Sequence, residues 1–522
     1  LDTFELVVDE HIHQFYPGVN TATYGASAEY LGPTLIMHRG DTARVRVQNE
    51  LAQITNMHWH GLQVPGEFDG GPPREIAPGD SWTATYHVKN PAGTYWYHPH
   101  PHELTAEQAN KGIAGFIIVQ DSAEGALPLP RTYGVDDFPV VVQDRRFLPN
   151  GNFVFGPYGD SVLVNGTPRP YLECPAQVVR LRLLNGSNAR IYPLGFEDGR
   201  SFSVIASDGG LLNAPVNMDR IWLSNGERAE VLLDLTGLAG DSLLLMSFGS
   251  ELPQTVPGAN NILWEGSILN GIDFPVLRIR VTPPTAAPVT SIPATLVPVL
   301  PYDEASATRT RTKVLAGNGM VGMGMFTING LMFDLNVIND TVLLGSTEIW
   351  GIENISNMAH PFHIHGGSFY LLDRDGLAPP AWEQGAKDVV LVDAGENVRV
   401  IMRFDDLTEG WPFMYHCHNL LHEDNMMMAQ YIVVDGATAV ASTVPVPQVR
   451  TYPVPTKGPL SFEAPFGVLS AAIVDLSGSM VVRAQLNGGS HGELDTSALP
   501  SGLYTLVLSG EHGSMHSRFI RE

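Results

Sequence analysis

Histidines two residues apart occur at His58/His60, His98/His100, His363/His365 and His416/His418. On a β-strand, residues i and i+2 point to the same face. Each pair can therefore aim two imidazoles at one place. Imidazole is a good ligand for copper, zinc, iron and nickel. One such pair is weak evidence, because a polar surface strand carries the same pattern. Four of them, each in a dense local motif ("HWH", "HPH", "HIH", "HCH"), point to metal binding.

The last pair brackets a cysteine, in "FMYHCHNLLHEDNMMM" (413–428). If His416 and His418 face one way on a strand, Cys417 faces the other. One strand can then touch two metal sites. On the thiolate side, His422 follows five residues later and Met427 ten, and His360 in "HPFHIH" can add a second imidazole. Two His, one Cys and a weak axial Met make a blue-copper electron-transfer site. The other cysteine, Cys174 in "YLECPAQ", reads as a buried small residue. Two cysteines cannot build a disulfide framework, so packing must supply the stability.

The chain has 522 residues, too many for one ordinary core. Hydrophobic residues at 44% and charged ones at 16% suit packed globular domains. A net charge of −25 argues against binding nucleic acid or anionic membranes. No apolar run reaches transmembrane length. The start at Leu1 rather than Met predicts that a signal peptide has been removed. "TARVRVQNEL" (42–51) and "DSWTATYHV" (80–88) alternate as half-buried strands do, and 53 Gly with 39 Pro suit many short strands joined by turns. "SAEGALPLPRTYG" (122–134), "TPPTAAPVTSIPATLVPVLP" (282–301) and "GATAVASTVPVPQVRTYPVP" (436–455) read as linkers. The reading is all-β: β-sandwich domains at 1–122, 135–285 and 313–435, and a small C-terminal β-sandwich module at 451–522.

"HWHGLQVPGEFDGGP", "YWYHPHPHELTAEQANKGIAGFIIV", "HPFHIHGGSF" and "YHCHNLLHEDNMMM" stand in the order and spacing of the multicopper oxidases. Residues 1 to about 435 resemble that family of laccases, bilirubin oxidases and copper-efflux oxidases. The resemblance implies three cupredoxin-like Greek-key sandwiches and four copper ions, with a trinuclear cluster between the first and third domains. It implies His360, Cys417, His422 and Met427 at a type 1 copper and His58 and His363 at a type 2 copper. His60, His98 and His418 would hold one type 3 copper, and His100, His365 and His416 the other. Electrons from a reductant would enter at an imidazole edge near the surface and pass through Cys417 to the cluster, where dioxygen becomes water. Asp69 and Glu423 fall in the family's proton-delivery positions. The resemblance leaves His102 off the metals, as a residue behind the ligands.

The expected reductants are phenols, aromatic amines and pigments such as bilirubin, as in the laccase and bilirubin-oxidase branch. A cuprous oxidase is the alternative, because Met320, Met323, Met325 and Met332 lie in "GNGMVGMGMFTINGLMFD" (317–334) and thioether sulfur suits Cu(I). Met also fills cores. A blue-copper electron carrier would need only the type 1 set, and the His-x-His pairs argue against it. The tail, with "TYPVPTKGPLSF" and "LPSGLY", is similar to type IX secretion sorting domains, although Val454 stands where Asn is common. It predicts export in a bacterium and contact with secretion machinery. "DLSGS" and "GEHGS" read as hairpin turns, and His491, His512 and His516 as surface residues.

Overall fold

The computed structural model describes residues 2–261, 266–317, 326–436, 450–474, 480–510 and 513–522. The chain divides into two compact units, Leu1–Thr438 and Ala439–Glu522. Both are built from strands, and the longest α-helix among the described residues is Thr105–Lys111.

Alternation in the sequence becomes the first sandwich. In the strand Thr42–Asn49, Ala43, Val45, Val47 and Asn49 are buried, and the residues between them face outward. This strand runs parallel to Asp2–Tyr16 and antiparallel to Ser81–His87. The facing sheet orders Leu35–His38, Gly115–Gln120, Gly93–His98 and His58–His60, so the first histidine pair lies on an edge strand. Leu6, Val45, Trp59, Tyr97 and Ile117 fill the space between the sheets.

The second sandwich pairs an eight-stranded with a five-stranded sheet. Every residue of its central strand Val178–Asn185 is buried, including Arg180 and Arg182. Buried cations require partners. Arg182 bonds the Asp137 carboxylate at 2.7 and 2.8 Å, and Arg180 bonds Glu124 at 2.9 Å and also Glu230. Glu124 belongs to a helical turn, Ser122–Gly125, so the segment read as a linker is anchored by a buried ion pair. The 282–301 connector is likewise laid down: Val178 N–H bonds Val289 O, and Leu296 is buried.

The third sandwich has two five-stranded sheets, one of which holds His360–Ile364 beside Phe413–Cys417. Their register sets His363 opposite His416 and Phe362 opposite Cys417. The first and third sandwiches also meet through two helices. Ala106 and Ala109 pack on Leu420 and Leu421. The Asp424 carboxylate accepts the Thr105 and Ala106 N–H groups at 3.1 and 2.8 Å, which caps a helix start with a residue over 300 positions away.

In the second unit the strands form one hydrogen-bonded sheet. Its long strand Pro459–Val474 pairs with Arg450–Tyr452 near one end and with Gly502–Gly510 near the other. Leu460, Phe462, Ile473, Leu506 and Phe519 make its own core. The "DLSGS" turn lies outside the described residues, as do part of "GEHGS" and His512. His491 is exposed beside Glu463. A chain ended at about residue 445 is expected to remain folded, copper-binding and active, because each unit has its own core. An insoluble or copper-free product would show that the tail is needed to build the oxidase.

Candidate metal centre

The register brings the eight histidines of the four pairs into one buried region, and all are 0–1% exposed. The Nε2 atoms of His100, His365 and His416 converge, with His416 Nε2 3.2 Å from each of the other two. His60 Nδ1 stands 3.3 Å from His98 Nε2 and 3.2 Å from His418 Nε2. These are two nests of three imidazole nitrogens. His58 and His363 present Nε2 atoms that are buried without a hydrogen-bond partner. A buried polar atom left unpaired is costly, and a metal ion would satisfy both.

Outward-facing nitrogens explain why the rings hold these orientations. Nδ1–H of His58 donates to Asp69 O (2.8 Å), that of His363 to Asp388 O (2.7 Å) and that of His98 to Pro99 O (2.9 Å). His365 Nδ1–H donates to Asp69 Oδ2 at 2.8 Å. Glu423 lies 3.1 Å from His100 Nδ1 and 3.2 Å from His416 Nδ1, off the hydrogen-bond direction. His60 is turned around: its Nδ1 points inward and its Nε2 meets Asp388 Oδ1 at 3.1 Å. Fixing the outer nitrogen fixes which lone pair faces a metal.

Burial, followed by the repulsion of neighbouring imidazoles, holds His60, His100, His363 and His365 well below the usual histidine range. Burial brings His416 down to about 3. These rings are neutral at pH 7, as ligation requires. Burial pushes the Glu423 carboxyl well above the usual range, and the neighbouring Asp424 adds to this. Glu423 therefore carries a proton at pH values where an exposed glutamate has lost it.

Asp69 ends the short helix Gly66–Asp69 and is buried. Gly70 follows with φ +78, and a Cβ there would lie 1.8 Å from Met57 O. Only glycine permits this close return of the chain, which places Asp69 against two histidines.

On the opposite face of the same strand, Cys417 Sγ is 3.4 Å from both His360 Nδ1 and His422 Nδ1, which are 3.2 Å apart. The centre of that triangle is about 2 Å from each corner, a bonding distance for a first-row metal and nitrogen. Burial raises the Cys417 thiol above its ordinary range, so a bound cation is what would ionise it. Met427 is fully buried, whereas Met426, with φ +77, is only partly covered.

The surface imidazole edge expected at this site is covered. Phe326 stacks on His422 at 4.1 Å, and Asn419 Nδ2 is 3.2 Å from His422 Nε2. His360 Nε2 meets Ser356 Oγ at 2.8 Å, and Ser356 is half-buried. His102 lies against Phe333. Cys174 is buried and unpaired, with its thiol pushed up to about 12 by burial. Met320, Met323 and Met325 lie outside the described residues, and Met332 is 47% exposed.

The sequence reading missed Asp388, Arg228 and Ser356, none of which sits in a histidine motif. Only the spatial neighbourhood identifies them. Another pair, His11 and His13, follows the same spacing rule on a half-exposed strand, where His13 bonds Glu29 at 3.0 Å.

Three sandwiches enclosing a chamber of eight imidazoles, with a thiolate site behind it, define a metalloprotein by its donor set. Multicopper oxidase family profiles match residues 8–124, 140–260 and 303–437, and a secretion system C-terminal sorting domain profile matches 450–522. The chain is 34% identical to a multicopper oxidase of Staphylococcus haemolyticus, over 81% of this chain and 86% of that one. It is 33% identical to the cell division protein FtsP of Escherichia coli, over 80% and 87%. A solved laccase-like multicopper oxidase, CueO of a lignin-degrading Ochrobactrum, is 36% identical with a TM-score of 0.74, covering 83% and 97%. The chain belongs to the multicopper oxidase family, whose members bind copper, and its sorting domain points to export.

Proposed function

We propose that this chain is a laccase-like oxidase that couples one-electron oxidation of phenols or aromatic amines to four-electron reduction of dioxygen to water. The observation that carries the reading is Cys417: it belongs to the sulfur–nitrogen triangle, and its two chain neighbours belong to the two imidazole nests. One peptide bond on each side joins Cys417 to the nests, and His416 Nδ1 also lies 3.2 Å from Cys417 O. Copper, when bound, supplies the one-electron steps and the reduction of dioxygen.

In this reading His360, Cys417, His422 and Met427 hold type 1 copper, and His58 and His363 hold type 2. His60, His98 and His418 form one type 3 site, and His100, His365 and His416 the other. The chain's own residues do the rest. Burial excludes water from the thiolate and keeps the imidazoles neutral. Glu423 holds a proton between His100 and His416, and Asp69 Oδ2 takes up the outer N–H of His365. These two carboxyls are placed to hand protons to the chamber. The sorting domain supports export of the enzyme by secretion machinery.

An apolar reductant is supported by the loop after Phe326. Phe333 N–H bonds Met426 O beside the thiolate site, and Phe333 packs on Met414 and Met428. Around this anchor Leu331, Met332, Leu335 and Val337 are exposed. Such a surface suits aromatic rings. Met332 in that loop keeps a cuprous oxidase as the second reading. The FtsP relatives are named for cell division, but the full donor set in this chain favours an enzyme. The test is kcat/KM for a phenol, for bilirubin and for Cu(I) on one copper-loaded preparation. The phenol is expected to lead, dominance of Cu(I) would select the cuprous reading, and no oxygen uptake with any of them would remove the enzyme reading.

A further inference from the structure

The second sandwich donates none of the proposed ligands, yet it reaches the chamber through Arg228. All five guanidinium N–H groups are used. Nε donates to Thr94 O (3.0 Å) in the first sandwich, and Nη1 and Nη2 donate to Gly226 O and Asp208 O (both 2.9 Å) in the second. The remaining two grip both Asp388 oxygens in the third, at 2.6 and 2.5 Å. Asp388 Oδ1 is also the acceptor for His60 Nε2. Arg228 is fully buried, as are Asp208 and Asp388.

This contact accounts for the one reversed ring. Seven of the eight imidazoles present Nε2 to the interior, and His60 alone presents Nδ1. A ring nitrogen that donates outward leaves the other as the inward lone pair. The space beside His60 is shaped for this pair: at Gly61, φ +84, a Cβ would lie 2.3 Å from Asp388 Oδ2 and 2.7 Å from Arg228 Nη2. The same turn of the second sandwich covers another ring, since a Cβ on Gly226 would lie 3.1 Å from His418. His60 and His418 share a nest with His98. The other nest is backed by Asp69 and Glu423, from the first and third sandwiches.

We propose that Arg228 and Asp388 are positioning residues for one type 3 site: the ion pair holds His60 with Nδ1 inward, and the ligand-free second sandwich thereby controls the His60/His98/His418 copper and not its partner. Asp388 can also be drawn as a metal ligand, because one of its oxygens and a nitrogen from each of His60 and His363 lie within 4.8 Å of one another. Both its oxygens are already engaged by a bidentate guanidinium, the arrangement that fixes a carboxylate most firmly. The inference rests on the ligand reading of the previous subsection.

The test uses full-length protein loaded with copper. Asp388→Asn keeps the shape but sets an amide N–H₂ against the guanidinium, and Arg228→Lys keeps a cation that cannot bridge both oxygens. Wild type should bind four copper ions with the type 3 pair silent in electron paramagnetic resonance, and failure of that control counts against the ligand reading rather than this inference. Both variants should keep the blue band, bind copper at this nest ~10–100-fold more weakly and show a new resonance from the uncoupled partner ion. A purely structural contact would lower the melting temperature and leave copper count and resonance unchanged, and that result would overturn the proposal. Loss of all folded protein in both variants would do the same. Loss of the copper held by His363 with the type 3 pair still silent would make Asp388 a ligand.

Discussion

Cys417→Ser protein is expected to be colourless and inactive towards any reductant while keeping copper in the imidazole chamber. The substitution changes one buried atom. Serine oxygen is hard and holds its proton, so it neither replaces the thiolate in the triangle with His360 and His422 nor gives its charge-transfer colour. The peptide bonds to His416 and His418 survive, so both nests keep their geometry. Copper analysis should show about one ion fewer than wild type, with the type 3 pair intact. Turnover should fall below detection, because in the proposed path every electron passes this position. A blue variant, or a colourless one that still oxidises dyes, would remove Cys417 from its proposed role.

Glu423→Gln is expected to slow reoxidation of the reduced enzyme by dioxygen ~10²–10⁴-fold. Glutamine has the size and hydrogen-bonding capacity of a protonated glutamic acid but cannot release a proton. In the native chain, burial keeps Glu423 protonated above the usual carboxylate range, so it can donate at pH values where an exposed glutamate has already lost its proton. As pH rises through that raised value the wild-type carboxyl loses its proton, and the wild-type rate should fall towards that of the variant. The gap between the two is therefore widest at low pH and narrows in alkali. Anaerobic reduction of the blue site by substrate should stay near wild type in the variant. Asp69→Asn should share the slow reoxidation, but its backbone and side chain also hold His58 and His365, so some copper loss is expected as well. Stopped-flow reoxidation across pH checks both, and unchanged rates would end the proton-delivery reading.

How much of this was legible in the sequence depended on whether the signal was local. Strand alternation in "TARVRVQN" and the two-residue histidine spacing are local, and the strands and the pairing of imidazoles on one face follow from them. The all-β fold needs little more than these patterns with Gly- and Pro-rich turns. Arg228 and Asp388 carried no comparable mark. Each is an ordinary charged residue in a strand-rich stretch, and its meaning comes from a partner 160 positions away. Covering of the thiolate site by Phe326 was invisible for the same reason, whereas Asn419 and Ser356 stand only three and four residues from the imidazoles they meet. The connector with Glu124 looked like a linker because Pro, Gly and Ala dominate it, and one buried carboxylate opposite Arg180 outweighs that composition. His11 and His13 show the converse: the spacing rule puts two imidazoles on one face but does not say what that face meets.

The capping of the Thr105–Lys111 helix by Asp424, and the nests shared between sandwiches, impose a timetable on synthesis. His100 meets His416 across 316 residues, and His60 meets His418 across 358. At ~5–20 residues per second, a ribosome needs roughly 15–70 s to add the later member of each pair after the earlier one. Throughout that interval the first sandwich carries four of the eight chamber histidines and a helix start without their third-sandwich partners. Neither proposed type 3 set is complete within it, since each takes at least one nitrogen from the third sandwich. In the proposed ligand assignment, the full set of copper sites is therefore completed only with the third sandwich.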